Sequence, residues 1–267
     1  MVENGPGMGN PRVYGSRPFY VAVIHGGPGA PGEMAPVARE LSQERGILEP
    51  LQTEASMDGQ VEELKKVIET YADLPVTLVG FSWGAMLGFV FGALHPFLVK
   101  KLILVGSPPF EEKYAAEIQE TRLGRLTESE RSRVRALIRT LDDPSAADKN
   151  APFAELGGLL AKADAYDRVP ASEDPIECQY HIYRQVWEDA RELRRNGRLL
   201  ELGKQVSCPV VAIHGDHDPH PSEGVRVPLS RILKDFRLIL LPHCGHAPWR
   251  ERGASEGFYD ILRRELP

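Results

Sequence analysis

Short apolar runs along the chain alternate with longer segments in which apolar residues recur every three or four positions. The runs have the length of buried strands, and we predict strands at residues 19–24, 47–51, 76–81, 101–105, 209–214 and 236–241, the second being the weakest. The helical spacing predicts helices at residues 33–44, 58–71, 83–95, 225–233 and 254–266. This alternation favours an α/β fold, with an open, mostly parallel sheet of about six strands and helices on both faces.

Two segments depart from the alternation. Residues 1–18 are rich in glycine and proline, and we expect them to form a loose arm. Residues 108–205 hold no convincing strand but carry two capping boxes, Thr127–Glu130 and Asp174–Glu177, each followed by apolar residues at helical spacing. Because so long a connection needs structure of its own, we predict a core domain of residues 1–107 and 206–267 and a helical cap (lid) of residues 108–205. We expect the cap over the carboxyl-terminal edge of the sheet, where open parallel sheets bind ligands.

Composition narrows the classes of partner. The 267 residues are 42% hydrophobic, with a net charge of −6 and a pI of about 5.8, so we predict neither a nucleic-acid nor a membrane partner. No apolar run approaches the roughly 18–20 residues of a membrane span, and the N-terminus lacks the apolar segment of a signal peptide. The three cysteines are an odd number without metal-ligand spacing and predict free thiols, which suits a cytoplasmic protein.

A serine stands at the junction between a predicted strand and a predicted helix. Ser82 is the centre of Gly80-Phe-Ser-Trp-Gly84. This Gly-x-Ser-x-Gly pattern is typical of a nucleophile elbow, a sharp turn that lifts a nucleophilic serine clear of the sheet. Small residues are needed there because strand and helix approach closely, and Gly80, Gly84 and Ala85 meet that need. The alternative interpretation is a serine that only caps the helix.

A serine nucleophile needs a base, and the base needs an acid that orients it. Two later loops, each following a predicted strand, supply both in the order acid and then histidine. The acid is Asp216 or Asp218, and the Gly-x-x-Asp spacing favours Asp218. The base is His243 or His246, and the glycine directly before His246 favours that residue, because it lets the backbone bring the ring inward.

The loop after the first strand can supply hydrogen-bond donors to a negatively charged oxygen. Its sequence is His25-Gly-Gly-Pro-Gly29, and glycines let backbone N–H groups approach a ligand closely. Pro28 has no N–H, so the donor is predicted to be Gly27 or, failing that, Gly26. The second donor is predicted to be the N–H of Trp83, the residue after the serine.

The four motifs HGGPG, GFSWG, GDHDP and CGHAPW resemble those of the α/β-hydrolase family in order and spacing, over about residues 19–266. The resemblance implies Ser82 as nucleophile, Asp218 as acid, His246 as base and Gly27 and Trp83 as oxyanion donors. It implies a serine hydrolase that cleaves an ester or amide of a small acyl substrate through an acyl-enzyme, with carboxylic esters favoured and with no cofactor or metal. Because only 18 residues precede the first predicted strand, we expect the family's first hairpin to be shortened or missing.

Three alternatives remain open from the sequence. HGGPG and the Gly-x-Ser-Trp-Gly elbow also resemble the proline iminopeptidase group, in which acids of the cap hold the amino terminus of the substrate; the candidates here are Glu173, Glu177, Glu188 and Asp189. A hydrolytic metal site is the second, with potential ligands at His214, Asp216, His217, Asp218 and His220. The third is a catalytically silent protein that binds a small molecule. A homodimer is compatible with the sequence, which carries no signal for the oligomeric state.

Overall fold

A seven-stranded sheet organises the part of the chain that the computed structural model describes, residues 9–169 and 177–267. Its strands are β1 (Arg12–Tyr14), β2 (Val21–Ile24), β3 (Ile47–Glu49), β4 (Val76–Phe81), β5 (Val99–Val105), β6 (Val210–Gly215) and β7 (Phe236–Leu241). They lie in the order β1-β3-β2-β4-β5-β6-β7, and only β1 runs antiparallel to its neighbour. The parallel strands therefore point their carboxyl ends to one common edge.

The strand β1 was not expected, because it lies in the segment predicted as a loose arm. Its three residues pair with β3, where Arg12 stands opposite Glu49, and the Tyr14 hydroxyl donates a 2.7 Å hydrogen bond to Glu49. The sheet thus has one strand more than the expected six or so, and the edge is shortened rather than missing. Residues 1–8 of the predicted arm lie outside the described residues.

Ten helices accompany the strands in the described part of the chain. They are α1 (Ala35–Leu41), α2 (Met57–Tyr71), α3 (Trp83–Leu94), α4 (Ile118–Gly124), α5 (Glu128–Asp142), α6 (Asn150–Ala163), α7 (Tyr180–Arg195), α8 (Arg198–Gly203), α9 (Glu223–Ile232) and α10 (Ser255–Glu265). Successive residues of a buried strand point to opposite faces of the sheet, so Leu78 and Val79 of β4 enter separate core clusters. The first cluster packs against α2, α3, α8 and α9, and the second against α1 and α10.

Five of these helices, α4 to α8, lie in the long connection between β5 and β6. The predicted capping box of Thr127 and Glu130 is formed and begins α5. The second capping box falls largely on residues 170–176, which lie outside the described residues, and α7 begins at Tyr180. Helices α4 to α6 share a small apolar cluster of their own, whereas α7 contributes Ile182 and Val186 to the main core. The division into core and cap domains stays a prediction.

Two further observations concern the whole described chain. None of its helices is both long and apolar enough to cross a bilayer. Cys178, Cys208 and Cys244 are all free.

Candidate active site

The turn between β4 and α3 holds Ser82 in strained backbone geometry. Ser82 has φ 50° and ψ −113°, a region that residues with a side chain rarely adopt. The neighbouring glycines allow the turn, since a Cβ on Gly80 would lie 2.2 Å from the carbonyl oxygen of Gly84, and one on Gly84 would lie 2.4 Å from that of Ile24. The Ser82 side chain makes no helix-capping hydrogen bond, which removes the capping interpretation, and it lines a cavity at the carboxyl edge of the sheet.

Asp218 and His246 come from the loops after β6 and β7 and meet at this edge. The Nδ1 atom of His246 lies 2.7 Å from Oδ2 of Asp218, whose side chain is fully buried. Because an ionised carboxylate only accepts hydrogen bonds, Nδ1 carries the proton and Nε2 is left with its lone pair. His246 lines the same cavity as Ser82, but the two side chains make no hydrogen bond among those of the described residues. Proton transfer needs these atoms within about 2.6–3.2 Å, and such contacts often tighten only when substrate is bound.

The alternative acid and base from the sequence, Asp216 and His243, make contacts with other residues. Asp216 is exposed, and its Oδ1 accepts the backbone N–H of Cys244 at 3.1 Å. His243 is also exposed, and its ring packs against Tyr166 with the centroids 5.2 Å apart. The pair that the structure brings together is Asp218 and His246. Neither Asp216 nor His243 takes part in it.

Three histidines surround the buried carboxylate of Asp218. Besides His246, the Nδ1 atom of His220 lies 2.8 Å from Oδ1, and Nε2 of His214 lies 3.5 Å from Oδ2. The backbone N–H of His220 also donates to Oδ1, at 2.9 Å. Burial alone would raise the pKa of Asp218, but the imidazoles of His246, His220 and His214 and the hydrogen bond from His220 hold it well below its ordinary value. Asp218 is thus an ionised group bonded through both oxygens.

The pKa values of His246 and His220 shift in opposite directions in this environment. Burial acts to lower the pKa of His246, but the charge of Asp218 and the hydrogen bond between them outweigh it, so the pKa lies above the ordinary 6.5. For His220, burial dominates and lowers the pKa to about 4, which keeps this ring neutral at neutral pH. The two rings lie with their centroids 4.6 Å apart. His220 was considered in the sequence only as a metal ligand, and nothing in its loop position indicated a bond to the acid.

Close backbone approaches hold the His246 loop in place. A Cβ on Gly106, which has φ 53°, would lie 2.7 Å from the carbonyl oxygen of His246. The glycine before His246, Gly245, is equally restricted, since a Cβ there would lie 2.2 Å from the carbonyl oxygen of Asp164. The N–H of His246 in turn donates to that same carbonyl at 2.9 Å. The predicted need for a glycine before the base thus has a physical cause.

The loop after β2 brings Gly27 to the wall of the cavity. Gly27 has φ 29°, and its carbonyl oxygen accepts the N–H of Ala30 at 3.0 Å, which closes a tight turn. Trp83 is the first residue of α3, so its N–H has no acceptor within the helix. Its indole Nε1 donates to Gln60 at 2.9 Å and anchors the buried side chain below the elbow. The predicted oxyanion donors therefore come from the loop after β2, which holds Gly27, and from the start of α3, where Trp83 directly follows Ser82.

The cavity has a volume of about 420 Å³ and a lining of two kinds. One part is small or apolar and comes from α6, namely Phe153, Ala154, Gly157, Gly158, Leu160 and Ala161. The charged residues of the lining, together called the charged wall, are Glu33, Arg122, Asp164, Arg168, Arg250 and Glu251. A volume of this size suits a small-molecule ligand. No motif in the sequence indicates the charged wall.

Three candidate cap acids of the iminopeptidase alternative, Glu177, Glu188 and Asp189, lie among the described residues, and none of them lines the cavity. Asp189 accepts the N–H of Met57 at 3.0 Å, and Glu188 is two-thirds exposed. Glu177 is exposed, and Glu173 lies outside the described residues.

The metal alternative takes a different form in the structure. Asp218 and His220 converge with His246, with one potential ligand atom from each lying within 4.8 Å of the others. His217 instead packs on the ring of Tyr166, with the centroids 5.3 Å apart. The hydrogen bonds from both imidazoles to Asp218 account for this cluster as an acid–base network.

Comparisons with known proteins identify the fold family. A family model described as "alpha/beta hydrolase fold" matches residues 29–249. A pimeloyl-[acyl-carrier protein] methyl ester esterase of Nitrosomonas europaea is 28% identical over 204 residues, which cover 73% of this chain and 75% of the relative.

Solved structures show the same fold at low sequence identity. VinJ superposes with a TM-score of 0.66 at 18% identity, covering 96% of this chain and 93% of its own. E-2-(acetamidomethylene)succinate hydrolase gives 0.63 at 18% identity, with coverages of 95% and 93%. The proline iminopeptidase of Mycobacterium smegmatis gives 0.61 at 16% identity, with coverages of 96% and 93%. At such identities the likeness shows the fold alone.

Proposed function

The chain belongs to the alpha/beta hydrolase fold family, and we propose that it is a serine hydrolase that cleaves carboxylic esters of a small acyl substrate. One observation carries the proposal: the strained elbow opens Ser82 into the same cavity as His246, whose Nδ1 is bonded to a buried carboxylate 2.7 Å away. A hydroxyl, an oriented imidazole and an acid are the groups that nucleophilic acyl transfer requires. The similarity to an esterase supports the ester over the amide.

In the first half of the proposed reaction, His246 Nε2 takes the proton of the Ser82 hydroxyl while Oγ attacks the carbonyl carbon of the ester. The carbonyl oxygen becomes an oxyanion, which the N–H groups of Gly27 and Trp83 stabilise. Collapse of this intermediate breaks the bond to the alcohol, which leaves with the proton from Nε2. Asp218 orients the ring and stabilises its positive charge throughout.

In the second half, water replaces the alcohol. His246 takes a proton from the water, whose oxygen attacks the acyl carbon bound to Ser82. The intermediate collapses, Ser82 Oγ recovers its proton from Nε2, and the carboxylic acid is released. The enzyme returns to its starting state without a cofactor.

A hydrolysis panel tests this function. Wild type and Ser82→Ala are compared on p-nitrophenyl esters of increasing acyl length and on the p-nitroanilide of L-proline. We expect ester turnover by the wild type and its loss in Ser82→Ala, with unchanged circular dichroism and melting temperature. Covalent labelling by a fluorophosphonate, lost in the same variant, is the matching chemical readout.

The other outcomes each decide against the proposal. Selective cleavage of the proline anilide indicates the aminopeptidase alternative. Ester turnover that survives in Ser82→Ala means that another group is the nucleophile. A folded wild type that neither turns over any ester nor reacts with the fluorophosphonate is a binding protein.

A further inference from the structure

The charged wall of the cavity is built where the β5–β6 connection pairs with the segment after His246. Arg168 forms an antiparallel bridge with Glu251, and the N–H of Val169 donates to the carbonyl oxygen of Arg250 at 2.9 Å. This pairing brings Arg168 and Arg250 to the cavity that also contains Ser82. Two arginines that are 82 residues apart in the chain therefore line the same cavity.

Neither guanidinium is paired with a side chain in residues 9–169 or 177–267. The guanidinium groups of Arg168 and Arg250 make no hydrogen bond or ion pair with those residues, although each has five N–H donors. The third arginine of the cavity differs, since Arg122 binds Asp164 through two hydrogen bonds of 2.6 Å each. The structure thus separates one committed arginine from two that are available to a ligand.

The carboxylates on the same wall are occupied by the backbone. Glu251 accepts the N–H groups of Tyr166 and Gly245 on one oxygen and that of Asp167 on the other, at 2.7–3.0 Å. The carboxylate of Glu33 packs so closely against Gly26 that a Cβ there would lie 2.6 Å from Oε2. Both acids influence the arginines at longer range, and neither lies within 4.0 Å of the nitrogens of Arg168 or Arg250.

Arg168 and Arg250 lie close enough for their like charges to repel each other. Burial lowers the pKa of Arg168, and the like charge of Arg250 lowers it further, while Glu33 and Glu251 act in the opposite direction. Burial raises the pKa of Glu33, while the charges of Arg250 and Arg168 act to lower it. An anion between the two guanidinium groups would supply the opposite charge that the wall lacks at short range.

We propose that Arg168 and Arg250 bind a carboxylate of the substrate, so that the preferred substrate is the monoester of a dicarboxylic acid. This inference rests on the proposed esterase function. A guanidinium group presents parallel N–H donors that match the two oxygens of a carboxylate. Phosphate shares this chemistry, and the binding measurement below distinguishes the two anions.

The kinetic test compares methyl esters of equal acyl length that do or do not carry a free carboxylate at the other end. The kcat/KM is measured for the monomethyl esters of succinic, glutaric and adipic acids and for methyl butyrate, methyl valerate and methyl hexanoate. The variants are Arg168→Gln, Arg250→Gln and the double variant. Arg252→Gln is the matched control, because Arg252 lies in the same segment, is about two-thirds exposed and faces Asp167 at the surface.

We expect the wild type to prefer at least one charged ester over its neutral counterpart. Each cavity variant should reduce this ratio of kcat/KM values by about 10-fold to 100-fold, the usual range for a hydrogen bond to a charged group. Arg252→Gln should keep the wild-type ratio. A wild type without preference, a double variant that keeps the preference, or an equal loss in Arg252→Gln would overturn the inference.

A binding measurement separates this inference from the proposed function. Calorimetric titration of Ser82→Ala with glutarate and with inorganic phosphate needs no catalysis. We expect glutarate to bind and the affinity to fall at least 10-fold when Arg168→Gln and Arg250→Gln are added to the Ser82→Ala protein. Phosphate binding of equal strength, or glutarate affinity that ignores both arginines, would contradict a carboxylate site even if every ester assay succeeds.

Discussion

His25 offers a way to test the oxyanion site without touching any group that contacts substrate. Its imidazole is fully buried, and Nε2 accepts the N–H of Gln52 at 3.2 Å. Nδ1 must therefore carry the proton, and it donates to the carbonyl oxygen of Gly26 at 2.7 Å. In a trans peptide this carbonyl and the N–H of Gly27 point in opposite directions, so the bond turns the Gly27 N–H away from His25.

Two amide substitutions divide the hydrogen bonds of His25 between them. In His25→Asn, the side-chain nitrogen takes the place of Nδ1, so the bond to Gly26 is kept and the Gln52 N–H loses its acceptor. In His25→Gln, the side-chain oxygen takes the place of Nε2, so the bond from Gln52 is kept and the Gly26 carbonyl loses its donor. The two variants differ in which backbone group loses its hydrogen-bond partner and are otherwise closely matched.

The expected magnitudes follow from these contacts. Each variant leaves one buried backbone group unpaired, which costs about 1–3 kcal/mol of the free energy of unfolding. Only His25→Gln frees the peptide that carries the Gly27 N–H, and loss of one oxyanion donor costs about 10²–10³ in kcat. We therefore expect similar melting temperatures for the two variants, a kcat near the wild-type value for His25→Asn, and a large loss for His25→Gln.

The assay is the kcat and KM for p-nitrophenyl butyrate, with the melting temperature of each variant measured in the same buffer. A loss confined to KM, or an equal loss of kcat in both variants, would refute the role of His25 in orienting the donor. A His25→Gln variant that keeps its kcat would show that Gly27 does not stabilise the oxyanion. Because burial lowers the pKa of His25 to about 4, the comparison holds at any pH well above that value.

Three further expectations concern the proposed acid, the proposed base and the elbow. Asp218→Asn should lower kcat by about 10⁴, as loss of the orienting acid does in other triads, whereas Asp216→Asn should leave it near wild type; both are measured on one neutral ester. Because the pKa of His246 is raised and its neutral form is the base, kcat/KM for that ester should fall as the pH decreases through an apparent pKa above 6.5. In Asp218→Asn this limb should move to lower pH, since the charge that outweighs burial is then lost. Gly84→Ala should fail to fold, because its Cβ would lie 2.4 Å from a carbonyl oxygen of β2, whereas Gly253→Ala, with no atom within 4 Å of its Cβ, should match wild type in circular dichroism.

The fold could be predicted because its signals are local. Each buried run and each amphipathic segment reveals its own period, and the parallel order follows from their alternation. The same logic places Ser82, Asp218 and His246 together, since each follows a strand and parallel strands end at one edge. The predicted family is confirmed by the family model, while the roles of these residues stay predictions until they are tested.

The first strand escaped prediction for the opposite reason. Arg12–Tyr14 is too short to show a period, and its partner Glu49 is more than 30 residues away. What holds it is a pairing of polar side chains, Tyr14 with Glu49, that leaves no pattern in the segment itself. The sequence predicts that this edge of the sheet is shortened, but it does not reveal which residues form the edge strand.

The charged wall of the cavity shows a similar limit with a larger consequence. Arg168 and Arg250 meet through a single bridge between two irregular segments, and Glu33 comes from the turn before α1. None of the three stands in a motif, because their convergence depends on how the β5–β6 connection folds back onto the loop of His246. The groups that would perform the chemistry are fixed by strand ends, whereas the groups that would select the substrate are fixed by this one pairing. A change at Arg168 or Arg250 should therefore alter which ester is hydrolysed while the sheet, the elbow and the acid–base network remain as they are.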